Sequence, residues 1–133
     1  MLEDRIKLHE GCRLRPYQDS EGIWTVGYGR NLESAPFSRP EVELLFANDF
    51  KRARQGAEML HVYDSLNEVR QGVLVEMVFQ MGYQGVRRFK KFLSAAIQEK
   101  WADAHREMLD SKWAKQTPDR ASRLAYIFKT GEL

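Results

Sequence analysis

The segment "DSLNEVRQGVLVEMVFQMG", residues 64–82, contains a run from Val73 to Met81 in which only Glu76 and Gln80 are not apolar. A helix that is apolar on nearly every side has to be covered on nearly every side. The run therefore predicts a buried central helix and obliges the rest of the chain to pack around it. Ser65 and Glu68, in capping-box spacing, predict where it starts. The other segments read mostly as helices that supply this cover. Leu2 and Ile6 recur at helical spacing with Gly11 placed as a C-terminal cap, which predicts a first helix over residues 2–10 with Glu10 in its last turn. "SRPEVELLFANDFKRARQGAEML" opens with Ser38 and Glu41 as a second capping box. It tolerates Pro40 in its first turn and repeats Val42, Leu45, Phe46, Phe50 and Ala53. Twenty helical residues span about 30 Å, enough to bridge two lobes. Further helices are expected around 86–97, 100–110 and 118–128, with Trp101 and Trp113 as packing residues.

Only one stretch breaks this pattern. "RLRPYQ", "GIWTV" and "GRNL" carry β-type residues separated by "DSEG" and "GYG", the turn chemistry of a meander of two or three strands. The expected fold is α+β and mainly helical, with a small antiparallel lobe at about 12–37. A connecting helix at about 38–58 joins it to a helical lobe at about 60–133 that includes the N-terminal helix, all within one domain, 1–133.

A chain of 133 residues buries roughly 68% of its unfolded surface, so a core needs no metal or disulfide staple. With 43% apolar and 30% charged residues the composition excludes disorder. Cys12 stands alone, which rules out an internal disulfide and fits a reducing compartment. Residues 1–12 mix acidic and basic side chains where a signal peptide needs an apolar core, so synthesis in the cytoplasm is expected. No run reaches membrane-spanning length, so no stable membrane insertion is expected either. The net charge of +2 is uneven: residues 1–83 hold 10 Lys/Arg against 13 Asp/Glu, and residues 84–133 hold 11 against 6. That asymmetry suits an anionic polymer, but solvated helix faces give the same pattern, and charge alone does not choose. A nucleic-acid partner is not expected, for want of a recognition-helix motif and of enough net charge. His9, His61 and His105 are scattered and no HExxH occurs, so no metal and no cofactor is expected. His9 beside Cys12 lacks a third orienting group for thiol catalysis.

Glycoside hydrolysis needs one carboxylic acid to protonate the leaving oxygen and a second carboxylate to help a nucleophile reach the anomeric carbon. A helix end followed by a hairpin supplies both. Glu10 closes the first helix, Asp19 lies in the polar "QDSEG" turn, and the Thr25 hydroxyl on the next strand is able to hold a water. Taken alone this spacing is weak, because Glu at a helix end and Asp in a turn are common surface residues.

The segment "HEGCRLRPYQDSEGIWTVGYGRNL" nevertheless resembles the catalytic segment of phage-type lysozymes (muramidases) of the T-even kind, with its Glu, eight intervening residues, Asp, five more, then Thr. "VYDSLNEVRQGVLVEMVFQMGYQGVRRF" and "SKWAKQTPDRASRLAYIFKTG" resemble the same family's central and C-terminal helices. The resemblance implies an inverting hydrolase that cleaves the β-1,4 bond between N-acetylmuramic acid and N-acetylglucosamine in peptidoglycan. Glu10 would be the general acid, with Asp19 and Thr25 positioning the water. It also implies that Arg120 pairs with the catalytic glutamate, that Leu32, Phe79 and Gln80 line a cleft, and that Glu21 and Lys112 bridge its mouth. The partner is then the peptidoglycan glycan strand and the working form a monomer.

Three departures from the family accompany the match. Only "RNLESAPFSRPE" separates the "GYG" hairpin from the long helix, so a strand and a short helix of the small lobe are missing. Arg30 stands where the family has a histidine paired to an aspartate, and Asp49 matches that aspartate, which predicts an Arg30–Asp49 tether. Glu76 replaces an amide in the central helix, and the chain stops soon after "FKTG". A bacteriolytic enzyme is expected, acting on the cell wall as a phage endolysin, a tail lysozyme, or an excised or engineered domain. The alternative is a non-catalytic or weakly active peptidoglycan-binding module with a reduced small lobe.

Overall fold

The computed structural model describes residues 1–133, and its first helix, its strands and its second helix begin where turn chemistry and caps predict them. Helix α1 (Leu2–Glu10) ends at Gly11, whose N–H donates to the Lys7 carbonyl at 2.9 Å. Strands β1 (Arg13–Gln18), β2 (Trp24–Gly27) and β3 (Arg30–Asn31) follow as an antiparallel sheet in that order. Tyr17 faces Thr25 and Thr25 faces Asn31, while the register slips between Arg13 and Tyr17. Pro16 sits in that slip, where a residue with no N–H to give the ladder is tolerated. Helix α2 (Arg39–Glu58) opens with its capping box formed: the Ser38 N–H donates to Glu41 Oε1 at 2.8 Å, and the Glu41 N–H to Ser38 Oγ at 3.4 Å.

A 3₁₀ turn (Tyr63–Ser65) leads to α3 (Glu68–Arg87), then α4 (Lys90–Ile97), α5 (Trp101–Leu109), α6 (Lys112–Gln116) and α7 (Pro118–Thr130). This is the α+β class expected, with helices dominating. The start of α3 differs from the expected Ser65–Glu68 box. Asn67 is the N-cap, its Oδ1 accepting from the Arg70 N–H at 2.9 Å, and Ser65 instead donates to the Val62 carbonyl at 2.7 Å. Two overlapping cap patterns occur in "DSLNEV", and the one that wins places Leu66 in the core before the helix begins. α3 is broken at Gly82, whose φ of 80° and ψ of 162° lie outside the helical region and are open to a residue without Cβ. Helix α6 is an addition to the expected set, capped by Ser111, whose Oγ accepts from the Ala114 N–H at 3.1 Å.

The chain packs as two units, Met1–Leu45 and Phe46–Leu133, the boundary falling inside α2. In the first unit the only buried residue is Thr25; α1 buries nothing, and Leu2 and Ile6 are exposed. The second unit carries every buried apolar side chain, with Leu74, Met77, Val86, Phe92, Met108 and Phe128 at its centre. α7 packs on α3, α5 and α6, and α4 on α5. Phe92 and Phe128 stand 5.0 Å apart by ring centroid, Trp101 lies edge-on to Phe128 at 5.8 Å, and Phe89 edge-on to Trp113 at 6.3 Å. Pairs of this kind add about 0.5–1.5 kcal/mol each beyond their burial. Arg70 ties the chain's end to the core. Its guanidinium lies 3.6 Å over the Trp101 ring and donates to the carbonyls of Phe128 at 2.6 Å and Lys129 at 3.0 Å, the last turn of α7.

Candidate active site

In the first unit, the end of α1 brings Glu10 against the β2–β3 turn. Gly29, with φ of 76°, lets the backbone approach so closely that a Cβ there would lie 3.0 Å from Glu10 Oε2. The second glycine of "GYG" thus does two things that only glycine does well: it takes the left-handed turn and leaves room for a carboxylate. At the other end of β2, Asp19 builds the β1–β2 turn. Its Oδ1 accepts from the N–H groups of Glu21 at 2.8 Å and Ile23 at 2.9 Å, while its own N–H donates to the Ile23 carbonyl at 2.9 Å. One carboxylate oxygen is thereby fixed by the backbone and the other is left to accept from something else. Thr25, between the two on β2, is buried, and its hydroxyl donates to the Ile23 carbonyl at 3.0 Å, leaving its lone pairs as acceptors. Leu32 follows β3, its N–H donating to the Trp24 carbonyl at 2.9 Å, and Glu21 is exposed at the hairpin tip. One short segment of chain therefore carries Glu10, Asp19, Thr25, Glu21 and Leu32.

The remaining predicted site residues belong to the second unit and divide between two hollows. Phe79 and Arg120 line one of about 380 Å³ together with Phe46, Phe50, Arg54 and Glu76. Phe46 stacks with Phe50 at 5.9 Å and tilts onto Phe79 at 5.6 Å, which gives this hollow an aromatic wall. The sequence read Phe46 and Phe50 as part of one helix stripe, and nothing in their spacing marked them as lining a cavity. Gln80 and Lys112 line a second hollow, of about 440 Å³, with Met81, Arg88 and Trp113. Gln80 is committed there: its Oε1 accepts from Trp113 Nε1 at 2.9 Å and its Nε2 reaches Thr117 Oγ1 at 3.4 Å.

Two arginines expected in ion pairs have partners within their own units. Arg120, implied to pair with the catalytic glutamate, donates from Nε to Glu76 Oε2 at 3.0 Å. Glu76 supplies a charged acceptor beside it on α3. Arg30, predicted to tether Asp49, is instead paired with Glu41, and its guanidinium lies 5.7 Å from the Phe37 ring. Asp49 is paired with Arg52, one turn along α2, at 3.5 Å. Arg30, with the Ser38 N–H and hydroxyl behind it, lowers the Glu41 carboxyl from its ordinary 4.5 to about 2. Only residues 32–38 lie between β3 and α2, which keeps the capping-box glutamate next to β3.

A family model described as phage lysozyme matches residues 7–125 of the chain. Two Dictyostelium discoideum proteins, "Probable T4-type lysozyme 1" and "Probable T4-type lysozyme 2", are 32% and 33% identical to it over 162 aligned positions, 99% of this chain and 95% of each relative. The pre-baseplate central spike protein Gp5 of Enterobacteria phage T4 is 29% identical over 161 positions, which cover 99% of this chain and 28% of the spike protein. These alignments are longer than the 133-residue chain, so the relatives carry residues with no counterpart here.

Proposed function

The chain belongs to the phage lysozyme family, and from that membership we propose that it is an inverting muramidase cleaving the N-acetylmuramic acid to N-acetylglucosamine β-1,4 bond of peptidoglycan. Glu10, in its acid form, protonates the leaving glycosidic oxygen. A water donates one proton to the free oxygen of Asp19 and the other to Thr25 Oγ1, which turns a lone pair toward the anomeric carbon on the face away from the leaving group. Asp19 then takes up the proton that the attacking water loses. The observation that carries this reading is the close approach of Gly29 to Glu10, which sets the acid beside the β2–β3 turn of the sheet whose β1–β2 turn carries Asp19 and whose β2 carries Thr25. Asp19 also has one oxygen fixed by two backbone donors, which suits a group that must hold water in one orientation. In this reading Leu32, Phe79, Gln80, Arg120, Glu21 and Lys112 contact or enclose the glycan, and the enzyme acts on the bacterial wall.

The test follows purified muropeptides by mass and by NMR during turnover. The proposal expects products ending in reducing N-acetylmuramic acid, released first as the α anomer. A trapped glycosyl-Asp19 adduct would replace the inverting mechanism with the retaining one. A second reading, a peptidoglycan-binding module with little or no hydrolysis, is favoured by the first unit's lack of any buried apolar side chain and by the engagement of Arg120 with Glu76. It predicts wall sedimentation with the protein and unchanged muropeptide masses.

A further inference from the structure

At the junction of α3 and α4, Arg87, Arg88, Lys90 and Lys91 place four positive charges within five residues, all of them exposed. None takes part in any of the six ion pairs of the structure. Lys90 and Lys91 occupy the first turn of α4, which holds no acidic residue, so they stand at the end of the helix whose dipole disfavours cations. The cluster opposes the fold's own electrostatics, and no intramolecular carboxylate offsets it.

Beside it is an apolar surface. Arg87 and Lys90, with His61, edge a hollow of about 450 Å³ whose walls include Met59, Leu93 and Ile97. Met59 is 66% exposed and Ile97 42%. We propose that this face of the second unit adsorbs to an anionic lipid bilayer, Arg87, Arg88, Lys90 and Lys91 meeting headgroup phosphates while Met59 and Ile97 enter the acyl boundary.

Charge complementarity and side-chain type select the lipid over other polyanions. A single-stranded nucleic acid needs aromatic faces on which bases stack, yet Phe89, the aromatic residue within the cationic run, is turned inward against Trp113 and Phe92. Tyr83 also lines the hollow but is half-buried, and the exposed apolar groups beside the cations are a thioether and an aliphatic chain, which suit acyl chains rather than base faces. Adsorption in the interfacial plane draws on both apolar burial and attraction to anionic lipid. No helix is long and apolar enough to cross a membrane, so the association is peripheral. The inference does not rest on the hydrolytic reading, although Arg88 also lines the hollow of Gln80 and Lys112.

Vesicle co-sedimentation tests it, with phosphatidylglycerol-containing and pure phosphatidylcholine vesicles compared at about 0.1 M salt, where the Debye length is about 10 Å. Partitioning into the anionic vesicles should exceed that into neutral ones at least tenfold and fall steeply at about 1 M salt. Near an anionic surface each Lys or Arg is worth roughly a fivefold change in partitioning. The quadruple variant Arg87→Gln/Arg88→Gln/Lys90→Gln/Lys91→Gln should therefore lose at least tenfold, with its thermal midpoint unchanged. Met59→Ser/Ile97→Ser should weaken binding severalfold and keep the salt dependence. Glu10→Gln should adsorb like the parent, so adsorption and hydrolysis are scored independently. Equal binding to both vesicle types, no binding to either, or full binding by the quadruple variant overturns the proposal. Binding to a single-stranded oligonucleotide without binding to vesicles overturns it as well, and assigns the cations to a polynucleotide.

Discussion

The two units of the chain are held by different physics. Met1–Leu45 buries a single side chain, Thr25, and is ordered by backbone ladders, an Asx-type turn at Asp19, the capping box of α2 and the Arg30–Glu41 pair. Its aromatic rings serve as platforms for cations, Arg13 over Tyr17 at 4.3 Å and Lys7 near Tyr28 at 5.7 Å, and exposed pairs of that type are worth about 0.5–1 kcal/mol. Phe46–Leu133 contains the whole apolar core. The residues with the chemistry proposed for hydrolysis are thus on the unit with the least buried apolar surface. A region held by hydrogen bonds and exposed pairs opens locally at lower free energy than a packed core, and segments that must adjust to a ligand are drawn from that end of the scale.

The largest expected effect tests whether that weakly packed unit does the chemistry. Glu10→Gln keeps the shape of the side chain and removes the proton donor, so hydrolysis should fall about 10²–10⁴-fold. Because α1 buries nothing, the thermal midpoint should not move. Parent-like clearing of cell walls by this variant would remove Glu10 from the mechanism. Stability should show the opposite division. Phe128→Ala in the second unit empties a site packed by Phe92 and Trp101 and should cost about 3–5 kcal/mol. Leu14→Ala, at a position 90% exposed in the first unit, should stay within about 0.5 kcal/mol. Equilibrium denaturation of both variants checks the pair, and comparable losses would dissolve the contrast between the units.

The sequence made the same division only in part legible. Strands, caps and the central helix are local features, and "RLRPYQ", "GIWTV", "DSEG" and the Ser38–Glu41 box each carry their structure within a few residues, so each is found where the pattern predicts. The Ser65–Glu68 box was outcompeted by Asn67 because the choice between adjacent caps depends on which one lets Leu66 reach the core. Ion pairing was the least legible. The partner of Arg30 is eleven residues away across the loop between β3 and α2, and that of Arg120 is forty-four residues away on another helix, so neither is a local feature. Glu10, Asp19 and Thr25 are candidates by resemblance. The backbone approach of Gly29 to Glu10 was not, because "GYG" reads simply as a turn.

That approach gives a prediction of intermediate size. Gly29→Ala forces a residue with Cβ into a left-handed backbone, at about 1–2 kcal/mol, and sets the new methyl 3.0 Å from Glu10 Oε2. The carboxylate is the far end of a flexible side chain and should yield. Turnover should therefore drop while substrate binding changes less, seen as a fall in kcat larger than any rise in KM. The second unit's amide exchange should be unaffected. A parent-like kcat would show that Glu10 does not depend on the hairpin for its position.

The smallest effect concerns the ion pair that replaces the expected Arg30–Asp49 tether. Arg30 stays charged over the working range, and its hydrogen bond to Glu41, followed by those from the Ser38 N–H and hydroxyl, lowers the Glu41 carboxyl to about 2. A depressed folded value means that the folded form binds the proton less readily than the unfolded one. The contribution to stability is therefore fully present above the ordinary value of 4.5 and is lost as pH falls through about 2. Carboxyl ¹³C NMR should place the Glu41 midpoint near that value, and Arg30→Met should return it toward the ordinary range. A double-mutant cycle of Arg30→Met with Glu41→Gln, read from amide exchange in β3 and at Ser38, should give a coupling at pH 7 that disappears below the folded midpoint. Glutamine still accepts from the Ser38 N–H, so the cycle isolates the charge on Arg30 from the helix cap. Asp49→Asn, in the other unit, should leave β3 exchange unchanged, since Asp49 is paired with Arg52. Faster β3 exchange in Asp49→Asn, with no Arg30–Glu41 coupling, would return the tether to the position that the family resemblance implied.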